Sequence, residues 1–156
     1  ESYSKESSIN YTILRYGSLY GDRSDIRNSL YKIIKSALEK NIIDYYGDGN
    51  ETREFIHVND AARLSVQAMD EKFNNQILML TGKKSIKYFE LLEMVKEIID
   101  KDIKITMHSN KSDTHYKISP YSFNPKLAKK LTINPHIDLG QGILKLMSDI
   151  YKELNE

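Results

Sequence analysis

The chain has 156 residues, of which 40% are hydrophobic, and its 23 basic and 22 acidic side chains give a net charge of +1 at pH 7. This length suits one globular domain with its own core, and the balanced charge gives no electrostatic case for nucleic acid or an acidic membrane. Zero cysteines exclude disulfides, thiolate metal sites and cysteine nucleophiles, and they fit the cytoplasm, which is the expected location.

Hydrophobic periodicity divides the chain into alternating strands and helices. The predicted strands cover residues 11–16, 42–46, 54–58, 76–80 and 102–107. The predicted helices cover residues 25–40, 85–99, 124–131 and 138–154, and another, capped by Asn59 or Asp60, has Ala61, Leu64, Ala68 and Met69 on its buried face. This order predicts an α/β fold. The opening strand has no βαβ partner in the chain, so we expect a preceding half to complete a parallel sheet.

Three further observations concern membrane spans, the start of the chain and ligand binding. No apolar run approaches the roughly 20 residues of a membrane span. The first residues contain neither a signal-peptide hydrophobic stretch nor an initiator methionine, so we expect further chain before residue 1. The polar segment 108–119 is long enough to be a ligand-binding loop.

A glycine-rich turn followed by an arginine is the most informative motif of the chain. Gly47 and Gly49 allow backbone angles that other residues avoid, so the turn can fold closely over a ligand. Arg53 follows at the next short strand, and its planar guanidinium matches the oxygens of a diphosphate. The alternative interpretation is an ordinary hairpin turn with a surface arginine.

The run Leu-Arg-Tyr-Gly-Ser-Leu-Tyr-Gly at residues 14–21, taken with this motif, resembles the C-terminal, substrate-binding half of the extended short-chain dehydrogenase/reductases. These are the NAD-dependent nucleotide-sugar epimerases and dehydratases, and the resemblance covers nearly all 156 residues. It implies one substrate-binding domain over residues 1–156 that includes the last strands of a Rossmann domain. Residues 1–24 and about 53–70 are then expected to pack on a missing N-terminal Rossmann half.

The resemblance also assigns site residues. Tyr16 and Gly17 match the positions beside the nicotinamide of NAD, and Ser18 stands where the family usually has an asparagine at the substrate phosphate. The other matched substrate-binding positions are Asn28, Ser29, Leu30, Ile43, Asp44, Tyr46, Arg53, Asn110, Lys111 and Asp113. Tyr46 would flank the nucleotide base, although it also reads as an edge-strand aromatic, and Ser29 also reads as a plain helix residue. A second family arginine is replaced here by Asn110.

The catalytic elements of the family are absent from this sequence. It has no Gly-x-x-Gly-x-x-Gly turn for the NAD pyrophosphate. Tyr31 and Lys35 have the spacing of the family's Tyr-x-x-x-Lys pair, but they follow the Arg-Tyr strand, whereas the family's pair precedes it. We therefore expect no catalytic residue in this chain and no activity of the chain alone. His57 reads as structural, and the other histidines are too scattered for a metal site.

The resemblance implies that the parent protein is an NAD-dependent epimerase that transfers hydride at the sugar ring of a nucleoside-diphosphate sugar, usually at C4. NAD would be held mainly by the missing half, and the parent would be a homodimer. A 4,6-dehydratase or a reductase of the same family is the alternative reaction. A non-catalytic nucleotide-binding module is the alternative class.

Overall fold

The computed structural model describes residues 6–7, 9–99, 102–108 and 128–156. Within them the strands are β1 (Thr12–Tyr16), β2 (Ser18–Tyr20), β3 (Ile42–Tyr46), β4 (Thr52–Arg53), β5 (Phe55–His57), β6 (Gln76–Leu80), β7 (Ile86–Lys87), β8 (Lys104–His108) and β9 (Lys129–Leu131). The α-helices are α1 (Ser29–Lys40), α2 (Val58–Gln67), α3 (Tyr88–Ile99) and α4 (Leu139–Glu153). None of these helices is long and apolar enough to cross a membrane.

The largest sheet contains β1, β6 and β9, in that order, with all neighbouring strands parallel. The expectation that the opening strand has no parallel partner within the chain is therefore wrong. β1 pairs with β6 from Thr12 opposite Gln76 to Tyr16 opposite Leu80. The long connection between them contains helices, and a connection of this kind is what parallel neighbours require.

β9 lies where a helix was predicted over residues 124–131. Leu131 on β9 pairs with Leu80 of β6 and is only 8% exposed. The prediction was wrong for residues 129–131 because pairing with a buried strand outweighs the helical spacing of apolar residues in a short segment. The rest of that predicted helix lies outside the described residues.

Three two-stranded pairs complete the sheet structure of the described chain. β2 pairs with β5 and β3 with β8, both parallel, and β4 pairs with β7 in the antiparallel sense. The predicted α/β fold is confirmed. The predicted helix at residues 85–99 starts later than expected, because Ile86–Lys87 forms β7 and α3 begins at Tyr88.

Two hydrophobic clusters form the core. The larger joins the inner faces of α1, α3 and α4 to β3, and the smaller lies between α2 and the β1–β6–β9 sheet. The predicted buried face of α2 is correct for Ala61, Leu64 and Ala68, but Met69 is 80% exposed. Met69 lies past the end of α2 at Gln67, so it no longer follows the helical repeat.

α2 is capped by His57 and not by Asn59 or Asp60. The His57 Nδ1 accepts a hydrogen bond from the Asn59 backbone N–H at 3.2 Å, and its ring meets the Tyr20 ring edge-on at 5.3 Å. The side chain is buried, and burial is the main cause that lowers its pKa. His57 is therefore a neutral structural residue at neutral pH.

We expect acidification to destabilise the fold through His57. A folded-state pKa below the unfolded value of about 6.5 means that the unfolded chain binds the proton more readily, so the free energy of unfolding falls as the pH drops below about 6.5. Urea unfolding at pH 7 and pH 5.5 measures this fall. His57→Asn keeps a capping side chain but does not titrate. Its free energy of unfolding should therefore fall less between pH 7 and pH 5.5 than that of the parent protein. An equal loss in both proteins would contradict the assignment.

Candidate functional site

Two of the predicted substrate-binding residues meet at Tyr88. The Ser29 Oγ lies 3.2 Å from the Tyr88 hydroxyl, although the two residues are 59 positions apart. The Arg53 guanidinium lies over the Tyr88 ring, 5.9 Å from its centroid, and its Nη1 donates to the Thr52 carbonyl at 2.9 Å. The sequence analysis placed Tyr88 only within the predicted helix over residues 85–99, because no local spacing signals a contact at this separation.

Tyr88 is held in turn by the core. Its ring stacks on Tyr45 at 4.9 Å and 24° and meets Phe55 edge-on at 6.1 Å. Its backbone N–H donates to the Glu51 carbonyl at 2.9 Å. Tyr88 therefore joins the start of α3 to the segment that carries Arg53, and it gives the guanidinium a fixed, half-buried support.

The predicted turn before Arg53 is present and is attached to its surroundings on both sides. Gly49 has a φ of +73°, in the left-handed region that favours glycine. Its carbonyl accepts from the Phe89 backbone N–H at 3.0 Å, and the Asn50 N–H donates to the Asp48 carboxylate at 2.8 Å. Arg53 is therefore presented by an ordered turn.

Glu51 is a buried carboxylate in this turn that the sequence analysis did not single out. It is 6% exposed, and its Oε2 makes no hydrogen bond within the described residues. Burial, and then the charge of Glu51, raise the pKa of Tyr45. Tyr45 consequently stays protonated and serves as a structural neighbour of Glu51.

A second group of predicted residues meets at His108. Tyr46 and His108 are paired residues of the parallel strands β3 and β8. Their rings stack at 4.8 Å with an interplanar angle of 21°. The His108 Nε2 lies 2.8 Å from the Asp44 Oδ1. This group is exposed, and it faces away from the core because Asp44 and Tyr46 alternate along β3 with buried residues.

Three predicted residues are already engaged in the fold. The Asn28 Oδ1 caps α1 by accepting from the Leu30 and Tyr31 backbone N–H groups, and its Nδ2 donates to the Leu19 carbonyl. Leu30 is 1% exposed and Ile43 is fully buried. Their side chains point into the core, and neither residue is open to a ligand in this structure.

The predicted NAD-facing residues lie at the junction of β1 and β2, where the pairing of β1 with β6 ends and the pairing of β2 with β5 begins. The Tyr16 hydroxyl is hydrogen-bonded to the Ser65 Oγ at 2.6 Å. The Gly17 N–H donates to the Leu80 carbonyl at 2.9 Å, and the Ser18 N–H donates to the Glu54 carbonyl at 2.8 Å. The backbone at residues 16–18 is therefore fixed from both sides.

Tyr31 and Lys35 both bind the carboxylate of Glu153. The Tyr31 hydroxyl donates to both oxygens of Glu153 at 2.8 and 2.7 Å, and the Lys35 Nζ donates to Glu153 at 3.2 Å. The hydrogen bond to Glu153 is the main cause that raises the pKa of Tyr31. A tyrosine that acts as a general base needs the opposite shift of its pKa. In this structure Glu153 and the pair tie α1 to α4.

A cavity of about 500 Å³ adjoins the first group, because its lining includes Phe55, which contacts Tyr88, and Ile86, which pairs with Arg53. It borders the carboxyl ends of β5, β6 and β9, and none of the predicted site residues that the structure describes lines it. The predicted residues Asn110, Lys111 and Asp113 fall outside the described residues. Within the described part of the chain, no three histidine or acidic side chains cluster as a metal site would require.

The described residues form an α/β protein with three candidate site regions. Arg53 follows the glycine turn, Tyr46 and His108 stack at the ends of β3 and β8, and the backbone of Gly17 and Ser18 is hydrogen-bonded at the junction of β1 and β2. A model of the NAD dependent epimerase/dehydratase family matches residues 1–79. The chain belongs to this NAD-dependent family.

The relatives fall within the same group of enzymes. A Methanocaldococcus jannaschii protein provisionally named UDP-glucose 4-epimerase is 30% identical, with 94% of this chain and 47% of that protein aligned. A UDP-N-acetyl-alpha-D-glucosaminuronate decarboxylase of Bacillus cytotoxicus is 28% identical over 85% of this chain and 43% of its own length. The chain therefore spans about half the length of the curated relatives it matches.

The fold has close counterparts among solved structures. The UDP-glucuronic acid 4-epimerase of Bacillus cereus, solved with UDP-glucuronic acid and NAD, matches with a TM-score of 0.80 and 24% identity. The match covers 97% of this chain and 48% of that chain. At this identity the likeness shows the fold.

We expect Gly17→Ala to destabilise the protein. A Cβ at this position would lie 2.5 Å from the Glu54 carbonyl oxygen and 3.2 Å from the Thr81 Cγ2, so the backbone must shift at a cost of about 1–3 kcal/mol. The matched control is Gly140→Ala, whose Cβ would meet only the Asp138 carboxylate at 3.2 Å. Urea unfolding should show a clear loss for Gly17→Ala and a change within about 0.5 kcal/mol for Gly140→Ala. Equal changes in the free energy of unfolding for the two variants would contradict the tight approach at Gly17.

Proposed function

We propose that this chain is the nucleotide-sugar-binding half of an NAD-dependent nucleotide-sugar epimerase, with hydride transfer at the sugar ring, usually at C4. The observation that carries the proposal is Arg53, which an ordered glycine turn and the Tyr88 ring hold at the surface. Family membership supports it, because the relatives act on nucleoside-diphosphate sugars as their names state.

The chemistry of Arg53 suits a diphosphate. The Thr52 carbonyl takes one hydrogen bond from the guanidinium, which has five N–H donors in a planar fork. The half-buried position over Tyr88 reduces the water around the charge, which strengthens its attraction for phosphate oxygens. Ser29 adds a second hydroxyl group next to the Tyr88 hydroxyl. The fixed arginine thereby orients a substrate at a point remote from the reacting carbon.

Tyr16, Gly17 and Ser18 fit the reactive end of NAD and the adjacent substrate phosphate. The backbone hydrogen bonds at residues 17 and 18 hold this segment in place, and the hydrogen bond to Ser65 holds the Tyr16 hydroxyl. NAD, when bound, would supply reversible hydride transfer at the sugar ring. The residues of this chain hold and orient the substrate for that step, and we assign the NAD pyrophosphate site and the tyrosine–lysine pair to the remainder of the protein.

A decarboxylase, dehydratase or reductase of the same family is the second candidate, since decarboxylases occur among the relatives. These reactions share the nucleoside-diphosphate site and differ at the reacting carbon. A non-catalytic nucleotide-binding module is the third candidate. Intact mass spectrometry of the native gene product separates enzyme from module: a mass about twice the 18.1 kDa of this chain supports the enzyme. A mass near 18.1 kDa favours the module.

We expect Arg53→Ala to weaken UDP binding by about 10- to 150-fold, because charged hydrogen bonds of this kind contribute about 1.5–3 kcal/mol. Isothermal titration calorimetry of the natural-length protein with UDP measures the change. Arg53→Lys should recover part of the affinity, since it restores the charge without the planar fork.

The matched control is Arg63→Ala, which removes a half-exposed arginine whose Nη1 contacts Asp60 and the Pro135 carbonyl. UDP should bind this variant as tightly as the parent. The assignment of Arg53 fails if Arg53→Ala binds UDP with the affinity of the parent protein.

A further inference from the structure

The stacked pair of Tyr46 and His108 has a geometry that the core does not require. More than half of the Tyr46 side chain is exposed, and neither ring belongs to the two hydrophobic clusters. A cross-strand aromatic pair contributes modestly to folding, and an exposed ion contact such as that between His108 and Asp44 contributes about as much at most. These contacts hold the three side chains in one arrangement at the surface.

His108 is held in position by both its backbone and its ring. Its carbonyl accepts from the Gly47 N–H at 3.0 Å, which continues the β3–β8 ladder to the first residue of the glycine turn. The Nε2–H of His108 donates a hydrogen bond to the Asp44 carboxylate at 2.8 Å, and this bond fixes the rotation of the imidazole ring. The imidazole then covers one face of Tyr46, in stacked geometry.

We propose that His108 is a positioning residue that turns Tyr46 into a stacking platform for the nucleobase of the substrate. This inference rests on the proposed function and adds to it a specific role for His108, which the sequence placed only at the start of the candidate binding segment 108–119. His108 supports one face of the Tyr46 ring, Asp44 fixes His108, and the exposed face of Tyr46 takes a flat heteroaromatic ring. Different residues then bind the two parts of the nucleotide. Tyr46, supported by His108, contacts the base, and Arg53 contacts the diphosphate.

The test compares UDP with inorganic pyrophosphate, which has the diphosphate but no base. In the natural-length protein, His108→Ala should weaken UDP binding about two- to tenfold, the range for one lost aromatic stack, and should leave pyrophosphate binding unchanged. His108→Phe retains a stacking ring and should restore most of the UDP affinity. Asp44→Ala should resemble His108→Ala.

Tyr46→Ala and Tyr151→Ala form a matched pair, because the two tyrosines are 57% and 58% exposed. Only Tyr46→Ala should weaken UDP binding. Melting temperatures of all variants should lie close to that of the parent, which shows that the affinities report the site and not the fold.

The outcomes separate this inference from the proposed function. If His108→Ala binds UDP like the parent while Arg53→Ala binds it weakly, the role of His108 is overturned and the diphosphate site stands. If His108→Ala weakens UDP and pyrophosphate equally, the platform is also overturned, since the residue would then act on the phosphates or the fold. If the parent binds neither ligand, the proposed function fails and the inference fails with it.

Discussion

The contact between Arg53 and Tyr88 is the interaction on which the candidate site depends. Tyr88 stands at the first turn of α3, is stacked on Tyr45 and meets Phe55 edge-on. The core thereby fixes a ring that supports a charged side chain at the surface. Without this support the guanidinium would depend on a short strand and a turn alone, and a diphosphate would have to order it on binding at an entropic cost.

β3 contributes both to the core and to the proposed base platform. Ile43 and Tyr45 point inward, and Asp44 and Tyr46 point outward. Because successive side chains of a strand face opposite directions, core packing fixes the register that aligns Tyr46 with His108 on β8. The position of the proposed base platform follows from the burial of the residues between its members.

The sequence predicted those features of the fold that depend on local patterns. The strands at residues 42–46 and 76–80 and the helix capped by Asp138 were found because their alternation, helical repeat or capping residue lies within a few positions. β9 was missed because a three-residue strand has no period of its own and exists through its pairing with β6. The cap at His57 was missed because histidine is not a usual capping residue.

The candidate site likewise has residues that local sequence patterns reveal and residues that only the folded structure brings together. Arg53 and the glycine turn are contiguous, so their motif was readable, and the resemblance to a family added Tyr16 and Ser29. Tyr88 was not readable as a site residue, and His108 was included only as the first residue of the candidate segment 108–119, since each reaches its partners through tertiary contacts. Leu30 and Ile43 match family positions, but burial directs their side chains to the core, which sequence matching alone does not reveal.

A crystal structure of the natural-length protein with bound UDP tests the central claim most directly. The account predicts diphosphate oxygens at hydrogen-bond distance from the Arg53 guanidinium, with that side chain still resting on Tyr88. A nucleotide bound elsewhere, for example in the cavity beside His57 and Thr81, with Arg53 making no contact to it, would contradict the account.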